Sequence, residues 1–174
     1  MNRILNLVLY SFFLMCIPLK AQNMASIEAP MGVTFAYGLD YHPKWYTLVK
    51  PALAYGFGKD SWAGKWTALQ YNFSVEQRYY YNMTKRQTKG KNTLHKSADF
   101  ISVKPTYSYL HYLNNEMKID QAIYSFPVAW GLRRTISRLF YFEGGVGISP
   151  AYTTIDKSWS ASLYIYANIG LKIF

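Results

Sequence analysis

Glu76 and Arg78 stand two residues apart in a segment that alternates apolar with polar side chains, and Lys104, Arg133 and Glu143 hold polar positions in later segments of the same kind. A spacing of two puts side chains on one face of a strand. Five such residues offer ion pairing, because a lone charge turned into a narrow interior costs several kcal/mol unless it is paired or hydrated. Asp40, Lys50 and Lys172 fall on the same kind of position. The expected role of the set is structural, a charge network that fills an interior.

Catalytic signatures are sparse. The histidines His42, His95 and His111 each stand on a turn or loop, without a partner at helical spacing or an acid close in sequence. That is the pattern of solvated surface histidines rather than of a zinc helix. No nucleophile elbow, phosphate-cradling loop or calcium loop occurs, and Gly144-Gly145-Val146-Gly147 lies within an alternating segment, where glycine lets a sheet bend. No catalytic residue, cofactor or metal is expected. His111 with Ser108 is the nearest approach to a hydrolytic pair.

The elements that must position these residues are strands. From Trp159 to Phe174 odd positions are apolar (Trp159, Leu163, Ile165, Ile169, Leu171, Ile173), while Ser160, Ser162, Tyr164, Tyr166, Asn168 and Lys172 take the even ones. Soluble strands average five or six residues, and one this long suits a bilayer crossing better. The same period appears at Ile27–Tyr41, Trp45–Phe57, Thr67–Asn82, Asp99–Tyr109, Asp120–Arg133 and Arg138–Pro150. Pro51 weakens the second of these, since proline donates nothing to a ladder. Seven strands are one short of an even number, so an eighth is expected between Gln22 and Pro30, with a break near Pro30-Met31-Gly32. The stretch Met83 to Ser97 has no period, carries Lys85, Arg86, Lys89, Lys91 and Lys96 without an acid, and reads as a solvated basic loop.

Residues 1–21 read as a signal peptide. Asn2 and Arg3 precede an apolar run from Ile4 to Pro18, and Ala21 offers a cleavage site. The single cysteine, Cys16, falls inside that run, so the remaining 22–174 would hold neither disulfide nor thiolate metal site. Without Arg3 and Lys20, 17 of the 19 basic residues stand against 9 acidic ones, a net charge near +8. An exported basic chain meets acidic lipid or lipopolysaccharide phosphate sooner than nucleic acid. The 17 tyrosines and 5 tryptophans gather toward the ends of the alternating segments, as interfacial girdles would.

The segments Arg78-Tyr79-Tyr80-Tyr81-Asn82, Lys85-Arg86, Gly90-Lys91-Asn92-Thr93, Trp130-Gly131-Leu132-Arg133-Arg134-Thr135-Ile136 and Tyr141-Phe142-Glu143-Gly144-Gly145-Val146-Gly147 resemble those of a family of small, mostly uncharacterised outer-membrane β-barrel proteins of Gram-negative bacteria. The resemblance implies the fold and the compartment but carries no catalytic residues. The expectation is therefore an all-β, antiparallel up-and-down transmembrane β-barrel of eight strands, placed in the cell outer membrane and inserted by the barrel-insertion machinery. Its partners would be outer-membrane lipid and lipopolysaccharide, and its role envelope integrity or surface interaction, with Trp62, Trp66, Tyr112 and the Asp156-Lys157 tip as contact surface. The alternatives are a lipid A deacylase or acyltransferase, and a narrow channel.

Overall fold

The computed structural model describes residues 24–29, 32–60, 64–114 and 120–173. The expected signal peptide at 1–21 lies outside them, as do Trp62 and the Pro30-Met31 break.

Ten strands form one antiparallel sheet: β1 (Met24–Ala29), β2 (Gly32–Leu39), β3 (Trp45–Asp60), β4 (Gly64–Tyr79), β5 (Asp99–Val103), β6 (Thr106–Asn114), β7 (Gln121–Ser125), β8 (Val128–Thr135), β9 (Phe140–Thr153) and β10 (Ser158–Lys172). Neighbours run β10-β1-β2-β3-β4-β5-β8-β9. β6 lies between β4 and β7, β7 also pairs with β9, and β10 pairs with β9 as well as β1. The sheet thus curls into a partly ring-like arrangement.

The segment expected to run unbroken from Ile27 to Tyr41 is two strands that pair with each other, Ser26 opposite Ala36 and Glu28 opposite Thr34. β1 falls where the additional strand was expected. Its alternation continues into β2, so periodicity alone did not expose the reversal.

Prolines set the other interruptions. β5 and β6 part at Lys104-Pro105, and β7 and β8 at Phe126-Pro127, where a proline nitrogen has no hydrogen to give. Their carbonyls still accept from neighbouring strands: Val75 N–H donates to Pro105 O at 3.1 Å and Lys104 N–H to Pro127 O at 2.9 Å, while Phe126 N–H donates to Pro150 O of β9 at 2.9 Å. β3 runs through Pro51, which stands opposite Phe73 of β4. The ladder to β2 lapses there, from the Thr34–Ala52 pair to the Tyr37–Val49 pair.

Two expected connections differ in the structure. β6 extends to Asn114, past the end expected at Tyr109. Met83 to Ser97 is not a solvated loop: it forms the short helix α1 (Met83–Thr88) and a 3-10 turn at Leu94–Lys96, with Met83 and Ser97 buried. The cause is a set of tertiary anchors. Lys96 Nζ reaches Asp40 Oδ1 at 2.8 Å, and Asn82 Nδ2 donates to Asp99 Oδ2 at 2.6 Å. His95 Nε2 lies 2.7 Å from Arg138 O. His95 and Lys96 hold left-handed backbone, φ 54° and 58°, a conformation that persists only where surroundings impose it. The folded segment lies over the end of the sheet that carries the 42–44 and 136–139 turns.

Beneath it sits the apolar core, with Tyr46, Leu48, Tyr80, Phe100 and Tyr141 buried on the inner face. Farther along that face small residues make room for large ones. A Cβ on Gly145 would lie 2.6 Å from the Tyr166 ring, which occupies that space. A Cβ on Gly147 would lie 2.0 Å from the carbonyl oxygen of Val128, so the two strands approach there closer than any side chain permits.

Candidate functional site

Alternation turns Lys50 of β3, Glu76 and Arg78 of β4, Arg133 of β8 and Glu143 of β9 onto the inner face, and all five are buried. Arg78 bridges the carboxylates. Its Nε and Nη2 donate to Glu76 at 2.8 Å each, and its Nη1 and Nη2 donate to Glu143 at 2.7 and 2.6 Å. Glu143 also accepts from Arg133 Nε at 2.8 Å, and Lys50 Nζ lies 3.1 Å from Glu76 Oε2. Rings complete the shell: the Arg78 guanidinium lies 4.2 Å from the Phe100 centroid and that of Arg133 4.3 Å from the Tyr141 centroid. Forked charge-assisted bonds of this kind fix geometry as well as charge. Three cations against two carboxylates leave one excess positive charge.

Four of the five residues expected to form an interior charge network therefore meet, and Lys50 joins them. Lys104 does not. It lies apart on the inner face, where its Nζ donates to the Tyr164 hydroxyl and sits 4.8 Å from that ring's centroid. Sequence could place it on the correct face but not at the correct height along the strands. Asp40 also leaves the set, since it pairs with Lys96 of the folded segment.

Beyond the network, away from the core, a cavity of about 550 Å³ occupies the interior. Lys50, Lys104, Tyr164 and Tyr166 line it together with serine, threonine and amide side chains. A second cavity, of about 700 Å³, lies between the 83–97 segment and the sheet, bounded by Asp40, Tyr46, His95 and Lys172.

On the outer face, Asp120 accepts from the Tyr109 hydroxyl at 2.6 Å and pairs with His111 Nδ1 at 2.9 Å. Both bonds hold the Asp120 carboxyl below its ordinary range. Leu110 stands opposite Gln121, so His111 and Asp120 flank the next rung, a relation that hairpin pairing could have revealed in sequence. Ser108 is no part of this group: it is buried on the inner face while His111 is exposed on the outer one. Residues three apart on a strand point to opposite sides, so the two cannot act as a hydrolytic pair. Of the expected contact residues, Asp156 and Lys157 are exposed on the β9–β10 turn, whereas Tyr112 is half-buried opposite the buried Ala68.

Among the described residues no three His, Cys, Asp or Glu side chains converge as a metal site would require, and no helix is long and apolar enough to cross a membrane. No family model, curated protein or solved structure matches the chain.

Proposed function

We propose that the chain is an eight-stranded up-and-down β-barrel of the cell outer membrane, with a non-enzymatic role in envelope integrity or surface interaction. One observation carries this reading, the inversion of the sheet. On the outer face Leu163, Ile165 and Ile148 are 70%, 68% and 61% exposed, while Arg78, Arg133 and Glu143 are fully buried within. A continuous apolar surface of this extent is unstable in water and ordinary against lipid. β3 and β4 have 16 residues and β10 has 15, enough for the nine to eleven or so that a tilted crossing needs.

The count of eight takes β5 with β6, and β7 with β8, as single strands interrupted at their prolines. The four β1–β10 pairs, from Ser26 with Lys172 to Ala29 with Ile169, support closure of those eight strands into a ring. An eight-stranded interior is just wide enough for side chains or one small ligand. The buried ion pairs and the 83–97 segment above them argue against a diffusion pathway, so the narrow-channel reading has less support. With Ser108 and His111 on opposite faces, a lipid-modifying activity has lost its nearest candidate pair. Outer-membrane lipid and lipopolysaccharide are the partners this surface fits, with the insertion machinery acting during biogenesis.

The test is the migration of the outer-membrane fraction on a denaturing gel, unheated against boiled. A heat-dependent shift in that fraction is the expected result. Recovery in the soluble periplasm without a shift would overturn the reading and make the sheet a soluble barrel or sandwich.

A further inference from the structure

We propose that the 550 Å³ interior cavity binds a small acidic sugar, with its carboxylate or phosphate held by Lys104 and Lys50. The inference deepens the surface-interaction reading, but it needs only the folded interior and holds in micelles as in a bilayer.

Three properties of the cavity point to that ligand. Its volume falls within the range of about 300–1,000 Å³ usual for small-molecule sites. Its charge has one sign: two lysines and no acidic residue line it. Lys50 is held at its edge by Glu76, in a network that already carries one excess positive charge. Lys104 adds a second, positioned by the backbone bond to Pro127 across the Pro105 break. An anion entering the cavity is therefore drawn inward by both.

The rest of the lining mixes hydroxyl and amide groups with small apolar residues such as Ala52, Ala54 and Ala167. Gln70, Asn72, Ser74, Thr106, Ser108 and Ser149 present donors and acceptors together, and Gln70 Nε2 donates to Asn72 Oδ1 at 2.9 Å. Tyr164 and Tyr166, with ring centroids 5.3 Å apart, add the aromatic surface on which a sugar ring rests. A bare inorganic anion would leave those groups unused, and an apolar molecule would leave them unpaired. The buried ion pairs floor the cavity on the core side.

The experiment is isothermal titration calorimetry of the full chain in zwitterionic micelles, with its folded state checked by the heat-dependent gel shift. The probes are glucuronate, glucose 6-phosphate, glucose and inorganic phosphate. The two acidic sugars are expected to bind, and glucose and inorganic phosphate at least about tenfold more weakly, the loss of one charge-assisted or several neutral contacts. Lys104→Gln should weaken both acidic sugars about tenfold, and Lys104→Arg should retain them. Asn72→Asp, which puts a carboxylate into the cavity at constant size, supplies the same test should Lys104→Gln not fold. A glucuronate oligosaccharide distinguishes the sources: tighter binding than the monosaccharide assigns the site to the end of a glycan, and equal or weaker binding to the free sugar. The proposal is overturned by folded protein that binds neither acidic sugar, by glucose or inorganic phosphate matching them, or by affinity unchanged in the Lys104→Gln and Asn72→Asp variants.

Discussion

Arg78 and Glu143 join across the interior through two parallel hydrogen bonds of 2.7 and 2.6 Å, although 65 residues separate them in the chain. Glu143 is also the acceptor for Arg133, so one carboxylate balances two guanidinium groups. Glu143→Gln removes that balance while keeping the shape. It should lower unfolding stability by about 3–5 kcal/mol in urea titrations in micelles, the penalty of an uncompensated buried charge. Adding Arg78→Met should make the double variant less damaged than the sum of the single ones, because the two residues share one network.

Ile165 discriminates lipid from water outside the sheet. It is 68% exposed at the middle of β10, so in water Ile165→Arg would change stability by no more than about 0.5 kcal/mol. Against a bilayer the same change should cost about 2–4 kcal/mol, read as urea-induced loss of the gel shift in reconstituted vesicles. Asp156→Arg, on the exposed β9–β10 turn, is the control and should be close to neutral.

Gly147→Ala should destabilise the sheet by about 1–3 kcal/mol, the usual penalty of overpacking, because the added methyl meets the Val128 carbonyl oxygen and a backbone cannot step aside. At Gly144 the nearest atom to an added Cβ is the Phe142 ring at 3.3 Å. That ring can give by a few tenths of an ångström, so Gly144→Ala should lose less in the same unfolding measurement.

Acid should loosen the 83–97 segment through His95. Partial burial, with Lys172 and Arg133 nearby, holds its imidazole below the ordinary 6.5 despite the bond to Arg138 O. The unfolded chain therefore takes up this proton first as pH falls. The contribution of His95 is complete above 6.5 and is lost as pH drops through its folded value. Urea midpoints of the parent chain relative to His95→Gln should be level above 6.5 and fall below it. A difference that does not vary with pH would refute the assignment.

Lys96→Met removes the ion pair to Asp40 and the contacts to the His42 and Pro43 carbonyls while keeping an unbranched side chain one atom shorter. Amide exchange should quicken across residues 83–97 and stay unchanged in β9 and β10. Exchange that quickens uniformly would mean that the segment and the sheet open as one unit.

Several features were legible in sequence because they are local. The side-chain period of a strand is a property of the backbone, so reading Leu69, Tyr71, Phe73 and Val75 against Gln70, Asn72, Ser74 and Glu76 sufficed to place each on its face. The β1–β2 reversal was harder, since alternation continues from one strand into the next and only the Pro30-Met31-Gly32 sequence hinted at it. His111 with Asp120 could have been reached by pairing β6 and β7 across their hairpin.

By itself the sequence determined the antiparallel all-β character, the inward or outward direction of almost every strand residue, and the set of charges turned inside. The tertiary structure decided which of those charges meet. Register between strands far apart in the chain sets height along the interior, which is why Lys50 joined the carboxylates and Lys104 was left beside Tyr164. It also folded the basic segment back over the sheet, through a contact between Asp40 and Lys96 that spans 56 residues. Alternation encodes a face, but a meeting point depends on the register of every strand between the two partners.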